Sequence, residues 1–343
     1  TFDPFPRVLL GPGLGVVTAG PDATAARVAA DIADQTLQVK ASIARMGGVY
    51  EGLPESHLFP MEYRGPQHAK LGGPGGSLRG RVALITGAAG AIGAGIAQGL
   101  LEQGGHVALT DLEGDRLDSL ARELGSAFPD RVFSVPLDVT DPDSARRAVA
   151  RICGHWGGVD LVVVNAGLAH VQPLMQMDLD RFHLLERVNI DGTLILLGEA
   201  GRHFGRQGTG GDIVLVSTKN VFSPGAQFGA YSATKAASHQ LARIASLEFA
   251  EIDVRVNMVS PDAVFSHGAW KSGLWAEVGP GRMKARGLDE AGLEEYYRSR
   301  NLLKARVTAR HVANAVLYFA TRQSPTTGST IPVDGGLPDA TPR

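Results

Sequence analysis

Tyr231 and Lys235 stand four residues apart in the run Ala230-Tyr231-Ser232-Ala233-Thr234-Lys235. On a helix that spacing puts a phenol and an ammonium on one face, where the cation favours the ionised phenol. An unperturbed tyrosine titrates near ~10, and a lowered value makes it a general base usable near neutral pH. Upstream, Thr86-Gly87-Ala88-Ala89-Gly90-Ala91-Ile92-Gly93 reads as a strand-to-helix turn. Gly87, Gly90 and Gly93 there let the backbone turn tightly and approach a pyrophosphate, whose charge the amides of the following helix favour. A dinucleotide held at that turn would supply a hydride acceptor.

Asp111 ends the next strand about 20 residues downstream, where a carboxylate accepts hydrogen bonds from the adenosine ribose hydroxyls and repels a 2′-phosphate. With no arginine in Ala88-Ala89-Gly90, the pattern favours NAD over NADP. Asp138-Val139 closes the third strand and could place a carboxylate on the adenine amino group and an apolar side chain against its ring; an exposed aspartate opening a turn is the plainer alternative. Asn165-Ala166-Gly167 closes the fourth with residues small enough for the backbone to meet a cofactor, although alone it is only a turn.

These motifs need a scaffold. Strands are predicted at Val82–Thr86, His106–Asp111, Val132–Leu137, Val159–Val164, Asp212–Ser217, Val254–Val259 and Thr330–Val333, alternating with helical patterns. Seven strands in that rhythm form a doubly wound parallel sheet, several of them nearly continuous in Val, Leu and Ile, as burial on both faces requires. Ligands of such a sheet lie beyond its carboxyl edge, where the motifs fall. Gly72-Gly73-Pro74-Gly75-Gly76-Ser77 reads as a linker, dividing an appendage at 1–71 from a main domain at 78–343. In the appendage, Val8–Leu10 and Val16–Thr18 form a short hairpin and Asp22 to Arg45 a helix stopped by Gly47-Gly48. That is too little for a core of its own, so it is expected to pack on the main domain, another subunit or a domain outside this chain.

The 343 residues carry 33 Lys and Arg against 35 Asp and Glu, a net charge of −2 that gives no general reason to expect nucleic acid or an anionic membrane as partner. One cysteine, Cys153, excludes an internal disulfide and a cysteine cluster for zinc, which suits a reducing cytoplasm. No apolar run reaches the roughly 20 residues of a membrane span, and no basic-then-apolar leader is visible. The start at Thr1 is read as processing, tag trimming or excision from something longer.

In this order the segments resemble the short-chain dehydrogenase/reductase superfamily from about Leu78 to Gly336: the Thr86–Gly93 loop, Asn165-Ala166-Gly167, Asn189, the Tyr231/Lys235 pair, Pro261 to Val264 and Val333-Asp334-Gly335-Gly336. The resemblance implies a Rossmann-type fold, Tyr231 as acid/base, Lys235 holding the nicotinamide ribose and lowering the tyrosine pKa, and Asn189 supporting a proton relay. It places the family's serine, thirteen positions before the tyrosine, on Thr218, with Ser217 adjacent; both are candidates to hold the substrate oxygen. Ala91 and Asp262 stand where many members have glycine. Val264 would meet the carboxamide through its backbone, with Ser266 in place of the common threonine. A closer likeness is to the C-terminal dehydrogenase half of bifunctional rhamnulose-1-phosphate aldolase/alcohol dehydrogenases, carried by Arg7 to Gly20, Ser217-Thr218-Lys219-Asn220, Pro261-Asp262-Ala263-Val264 and the tail Val333 to Arg343. Residues 1–71 then resemble the tail of a class II aldolase domain. They hold only His57 and His68 and no His-x-His pair, so neither a metal nor aldol cleavage is expected in this chain.

Phe265 to Arg306 breaks the alternation with Trp270, Trp275, Tyr296 and Tyr297, where the family has a substrate lid; core-filling aromatics are the alternative. Arg282, Lys284, Arg286, Arg298 and Arg300 lie among Glu277, Asp289, Glu290, Glu294 and Glu295, and this mixture reads as a solvated face rather than an anion site. His170 and His267 read as loop histidines, with a substrate hydroxyl as the alternative partner. Apolar faces from Phe182 to Leu197 and after Tyr231 suggest a homo-oligomer, a tetramer by the resemblance. The expected activity is NAD-dependent interconversion of an alcohol and a carbonyl on a small-molecule substrate. Lactaldehyde is favoured by analogy. A polyol or sugar dehydrogenase outside deoxysugar catabolism, and a non-catalytic NAD-binding module, are the competing readings.

Overall fold

The computed structural model describes residues 6–54, 56–57, 76–338 and 340, and the chain divides into two compact units, Thr1–Gly80 and Arg81–Arg343. In the first, β1 (Val8–Gly11) and β2 (Gly15–Thr18) pair antiparallel in the expected hairpin, and α1 (Ala23–Arg45) follows. Asp22 starts that helix by accepting a 2.8 Å hydrogen bond from the Ala25 amide, which satisfies one of its orphan donors. Ala33 is the one buried residue of the helix. His68 and Gly72 to Gly75 of the expected linker lie outside the described residues, as does the end of the tail, 341–343.

The second unit is the predicted doubly wound sheet. Its strands are β3 (Val82–Thr86), β4 (His106–Asp111), β5 (Val132–Pro136), β6 (Leu161–Val164), β7 (Gly211–Val216), β8 (Val254–Pro261) and β11 (Thr330–Val333). All seven run parallel in the order β11-β8-β7-β6-β3-β4-β5. The order reverses between β3 and β6, which opens a crevice at their carboxyl ends. Strand β6 starts two residues later than the hydrophobic run suggested. The Gln207 side chain takes both backbone groups of Val159, at 3.2 and 2.9 Å, in place of a strand neighbour.

Helices α2 (Ala91–Glu102), α3 (Asp115–Ala127), α4 (Pro142–Trp156), α6 (Gly192–Gln207), α7 (Gly229–Glu248) and α10 (Ala309–Ala320) connect the strands. Between the sheet and α4, α6 and α7 lies a core that includes Leu84, Val162, Val164, Ile213, Leu215 and Met258, all nearly inaccessible to water. Each such side chain contributes about 1.5–3 kcal/mol by leaving water, so the carboxyl edge rests on a rigid base. Before α6 the short α5 (Leu179–Leu185) passes through a π-helical turn, Glu186–Asp191, that contains Asn189; such turns widen a helix locally and often accompany sites. The aromatic insertion is a two-stranded ribbon, β9 (Ser266–His267) with β10 (Trp270–Lys271), followed by α8 (Gly273–Arg286) and α9 (Glu290–Arg300). Among the described residues no helix is long and apolar enough to cross a membrane, and no group of three or more His, Cys, Asp or Glu could hold a metal.

Candidate active site

A cleft of about 980 Å³ opens along the carboxyl edge, bordered by the glycine loop, the ends of β4 to β8, and α8 and α9. The glycine loop is shaped for a charged ligand. Gly87 has φ of +62°, and a Cβ there would sit 2.8 Å from Ala166 Cα; only glycine meets both demands. Asn165 secures the turn from the neighbouring strand, donating through Nδ2 to the Thr86 and Gly87 carbonyls at 2.9 and 3.0 Å. At Gly93 a Cβ would lie 2.4 Å from the Gly87 carbonyl oxygen, so α2 packs directly on the loop. Gly90 differs. Its Cβ would meet protein only at 3.5 Å, and as N-cap of α2 it leaves the first amides without a side-chain cap. Space and free N–H donors at a helix start fit a pyrophosphate.

Asp111 sits at the end of β4 on the same wall. Its Oδ2 accepts from the Ala89 amide at 3.0 Å and its Oδ1 from the Leu112 amide at 2.8 Å. Each carboxylate oxygen keeps a second lone pair for a ribose hydroxyl. Ile92, Asp138, Val139, Asn165, Ala166, Gly167, Pro261 and Val264 also line the cleft. Asp138 Oδ1 accepts from both the amide and the hydroxyl of Thr140, at 2.9 and 2.8 Å, so it is a turn former as well as a wall residue. Ser266 is not on the wall: the chain turns at Ala263, whose φ is +50°, and Ser266 is carried out to pair with Lys271 in the ribbon, exposed. A cation missed by sequence reasoning stands near Asp111. Arg116 lines the cleft and donates to the Ala89 carbonyl at 2.8 Å.

On the other side of the switch point, β7 and α7 bring Ser217, Thr218, Tyr231 and Lys235 to the cleft. Thr218 shares a hydrogen bond with the Tyr231 phenol, whereas the neighbouring Ser217 hydroxyl lies 3.0 Å from His239 Nδ1 in the interior. Lys235 donates to the Val216 carbonyl at 2.9 Å. Asn189 lies behind the wall, buried, and its amide grips Leu168 in both directions at 2.9 Å while donating to Thr234 at 3.0 Å. A Cβ at Gly167 would stand 3.1 Å from Asn189 Oδ1 and 3.3 Å from Lys235 Nζ, so glycine is what lets these two groups approach the cleft floor.

The electrostatics depart from expectation. Burial pushes the Tyr231 phenol up to about 12, opposed by the Thr218 hydrogen bond and reinforced by Asp262. Burial likewise brings Lys235 down to about 8. Both shifts run against the expectation of a tyrosine lowered by its neighbouring ammonium, because desolvation disfavours the charged form of both groups.

The insertion also departs from its reading as a solvated face. Glu294 pairs with Arg306, Glu295 with Arg298 at 2.6 Å, Glu290 with Lys271 at 3.6 Å and Glu277 with His170 at 3.2 Å. Arg282, Arg286 and Arg300 line the cleft instead, with Trp275, Tyr296 and Tyr297. Their spacing held the signal: 282 and 286, and 296 and 300, are one turn apart on their helices. The remaining calls follow the plainer reading. Trp270 donates to Glu123 at 3.1 Å, His267 lies 2.8 Å from Gln98, and His170 lies 3.1 Å from Gln172; none is on the cleft wall.

Residues 81–276 match the family described as short chain dehydrogenase, and residues 1–71 match the second domain of class II aldolases. Uncharacterized oxidoreductase YuxG of Bacillus subtilis (strain 168) is 34% identical over the whole of this chain, which spans 50% of that relative's length. Human L-xylulose reductase is 31% identical, over 76% of this chain and 97% of its own. The crystal structure of L-sorbose reductase from Gluconobacter frateurii, complexed with NADPH and L-sorbose, superposes with a TM-score of 0.68 at 25% identity, covering 76% of this chain and 97% of that one.

Proposed function

This chain belongs to the short-chain dehydrogenase family, and from that membership we propose that it is an NAD-dependent oxidoreductase interconverting an alcohol and a carbonyl on a small hydroxy-aldehyde, polyol or sugar-derived substrate. The observation that carries the reading is the convergence of Thr218, Tyr231 and Lys235 on the cleft that also holds the glycine loop and Asp111. NAD, when bound, supplies the hydride acceptor. Gly87, Gly90 and the first amides of α2 would hold its pyrophosphate, Asp111 its adenosine ribose, and Asp138 and Val139 the adenine. Val264 and Pro261, which line the cleft, would border its carboxamide.

Tyr231 removes the proton from the substrate hydroxyl and Thr218 holds that oxygen. Lys235 steadies the phenolate and the nicotinamide ribose, and Asn189 keeps the Leu168 backbone in place for a proton relay. Since burial raises the phenol and depresses the ammonium, the phenolate depends on positive charge set beside it, from the Lys235 ammonium and from the nicotinamide ring that NAD would bring. Asp111 supports NAD as the cofactor, since a 2′-phosphate would meet its carboxylate.

The match of residues 1–71 to an aldolase domain supports a boundary near 72–77, an aldolase partner domain, and lactaldehyde as a substrate. The sugar-named relatives support the alternative, a polyol or ketose outside deoxysugar catabolism. Retention of Tyr231 and Lys235 speaks against a non-catalytic module. Exposed Leu194, Ile244 and Leu247 on α6 and α7 support a homo-oligomer. Purified protein assayed with NAD and with NADP against lactaldehyde, polyols and aldoses, by nicotinamide absorbance, tests the reading: turnover with NAD in preference to NADP is expected. Turnover with NADP alone overturns the cofactor assignment, and none with either overturns the function.

A further inference from the structure

The two halves of the cleft differ in charge. Near the ends of β4 and β5 its walls carry Asp111, Glu113, Asp115 and Asp138 against Arg116; beyond the ends of β7 and β8 they carry Lys219, Arg282, Arg286 and Arg300 against Asp262. At that second end four cations face one carboxylate. The surplus is not absorbed by neighbours. None of the three arginines forms an ion pair with a carboxylate among the described residues, because the glutamates of the insertion are engaged with Arg306, Arg298, Lys271 and His170.

Aromatic faces hold the three guanidiniums instead. Arg282 lies 4.7 Å from the Phe228 ring centroid, Arg286 4.6 Å from that of Tyr296, and Arg300 4.8 Å from that of Tyr297. A ring face steadies the plane of a guanidinium and leaves most of its N–H edge open; Arg286 adds only a 3.5 Å bond to the Tyr296 hydroxyl. Arg282 Nε is buried with no hydrogen-bond partner in the described molecule, and its Nη2 makes only a 3.3 Å bond to the Ala226 carbonyl. A buried unpaired donor on a cation is costly unless a ligand satisfies it. Lys219, whose ammonium is bonded to the Ser223 carbonyl at 2.9 Å, is held below its ordinary range chiefly by burial; it is attracted by Asp262 and repelled by Arg300 and Arg282.

Resting on the dehydrogenase reading above, and choosing within it against lactaldehyde, which has no such group, we propose that the substrate carries an anionic group, a phosphate or a carboxylate, away from its reacting carbon, and that Arg282, Arg286 and Arg300 with Lys219 bind that group. The dinucleotide pyrophosphate does not account for these cations, because its cradle at Gly87 and Gly90 lies on the far side of the switch point. Planar guanidinium forks match both candidate anions bidentately.

The test compares a hexitol, its 6-phosphate and the corresponding aldonate with NAD, using the full chain. At least one anion is expected to exceed the neutral polyol in kcat/KM by about tenfold or more, as one or more charge-assisted hydrogen bonds provide; whichever of the two does so identifies the group. In Arg282→Gln and Arg300→Gln that ratio is expected to fall toward one. A readout independent of turnover is calorimetric binding of inorganic phosphate at saturating NAD, expected in the native protein and weakened in both variants. Turnover of neutral substrates with no anion preference and no phosphate binding overturns the proposal and leaves the dehydrogenase reading standing. Failure to bind NAD removes the reading on which it rests.

Discussion

The Ser217 hydroxyl lies 3.0 Å from His239 Nδ1, whereas the adjacent Thr218 shares a hydrogen bond with the Tyr231 phenol. Two adjacent hydroxyls, of which the resemblance favours Thr218, are thus divided by a buried histidine on α7. On the proposed function, Thr218 is the residue that meets the substrate oxygen and Ser217 a support beside it.

Replacing each hydroxyl therefore has unequal effects. Thr218→Val is expected to lower kcat by about 10²-fold or more, the scale of losing one donor to the reacting oxygen, and Thr218→Ser to restore most of it. Ser217→Ala is expected to cost less than about tenfold in kcat and to act mainly on stability, because it leaves His239 without its partner. Steady-state kinetics of the three variants check this. A larger kcat loss in Ser217→Ala than in Thr218→Val reverses the assignment.

The glycines of the loop separate in the same way. Gly90→Ala is expected to fold with a stability loss of about 1 kcal/mol or less, the difference between Gly and Ala at an N-cap, since its Cβ meets protein only at 3.5 Å, and to weaken NAD binding by about tenfold or more. Gly93→Ala is expected to cost about 1–3 kcal/mol of stability, because its Cβ would lie 2.4 Å from a backbone oxygen. Thermal melts with and without NAD distinguish the two. Equal loss of stability in both contradicts the ligand-facing role of Gly90.

Lys235 makes stability depend on pH. Its folded value of about 8 lies below the ordinary 10.5, so between those limits the unfolded chain keeps a proton that the folded chain has released. The destabilisation is complete below about pH 8 and is relieved as pH rises toward 10.5. From pH 7 to pH 10 the native protein is expected to gain roughly 2–3 kcal/mol relative to Lys235→Met. Urea titrations of both proteins across that range measure it, and a difference that stays flat shows that burial does not hold the ammonium down.

Much of this arrangement is legible in the residues themselves. Continuous Val, Leu and Ile runs marked the buried strands, and the glycines of the Thr86–Gly93 turn, Asp111, Tyr231 and Lys235 announced the cleft, because each occupies a fixed offset from a strand end or within one helix turn. What was not legible depended on contacts between distant segments. Arg282, Arg286 and Arg300 read as solvated while their nearby glutamates were counted as partners; folding sends those glutamates to Arg306, Arg298, Lys271 and His170 and leaves the arginines on the cleft. Ser266 followed a family position, but the turn at Ala263 carries it out of the site. The direction of the Tyr231 shift was missed for a related reason: proximity along a helix shows that two charges are neighbours, whereas desolvation depends on everything packed over them.

The most direct measurement is Tyr231→Phe, with NAD binding by calorimetry and turnover on whichever substrate the native protein oxidises. Undiminished NAD affinity with turnover lowered by about 10²-fold or more is the predicted result. Turnover within a few-fold of the native protein would mean that another group moves the proton and would remove Tyr231 from the centre of the site.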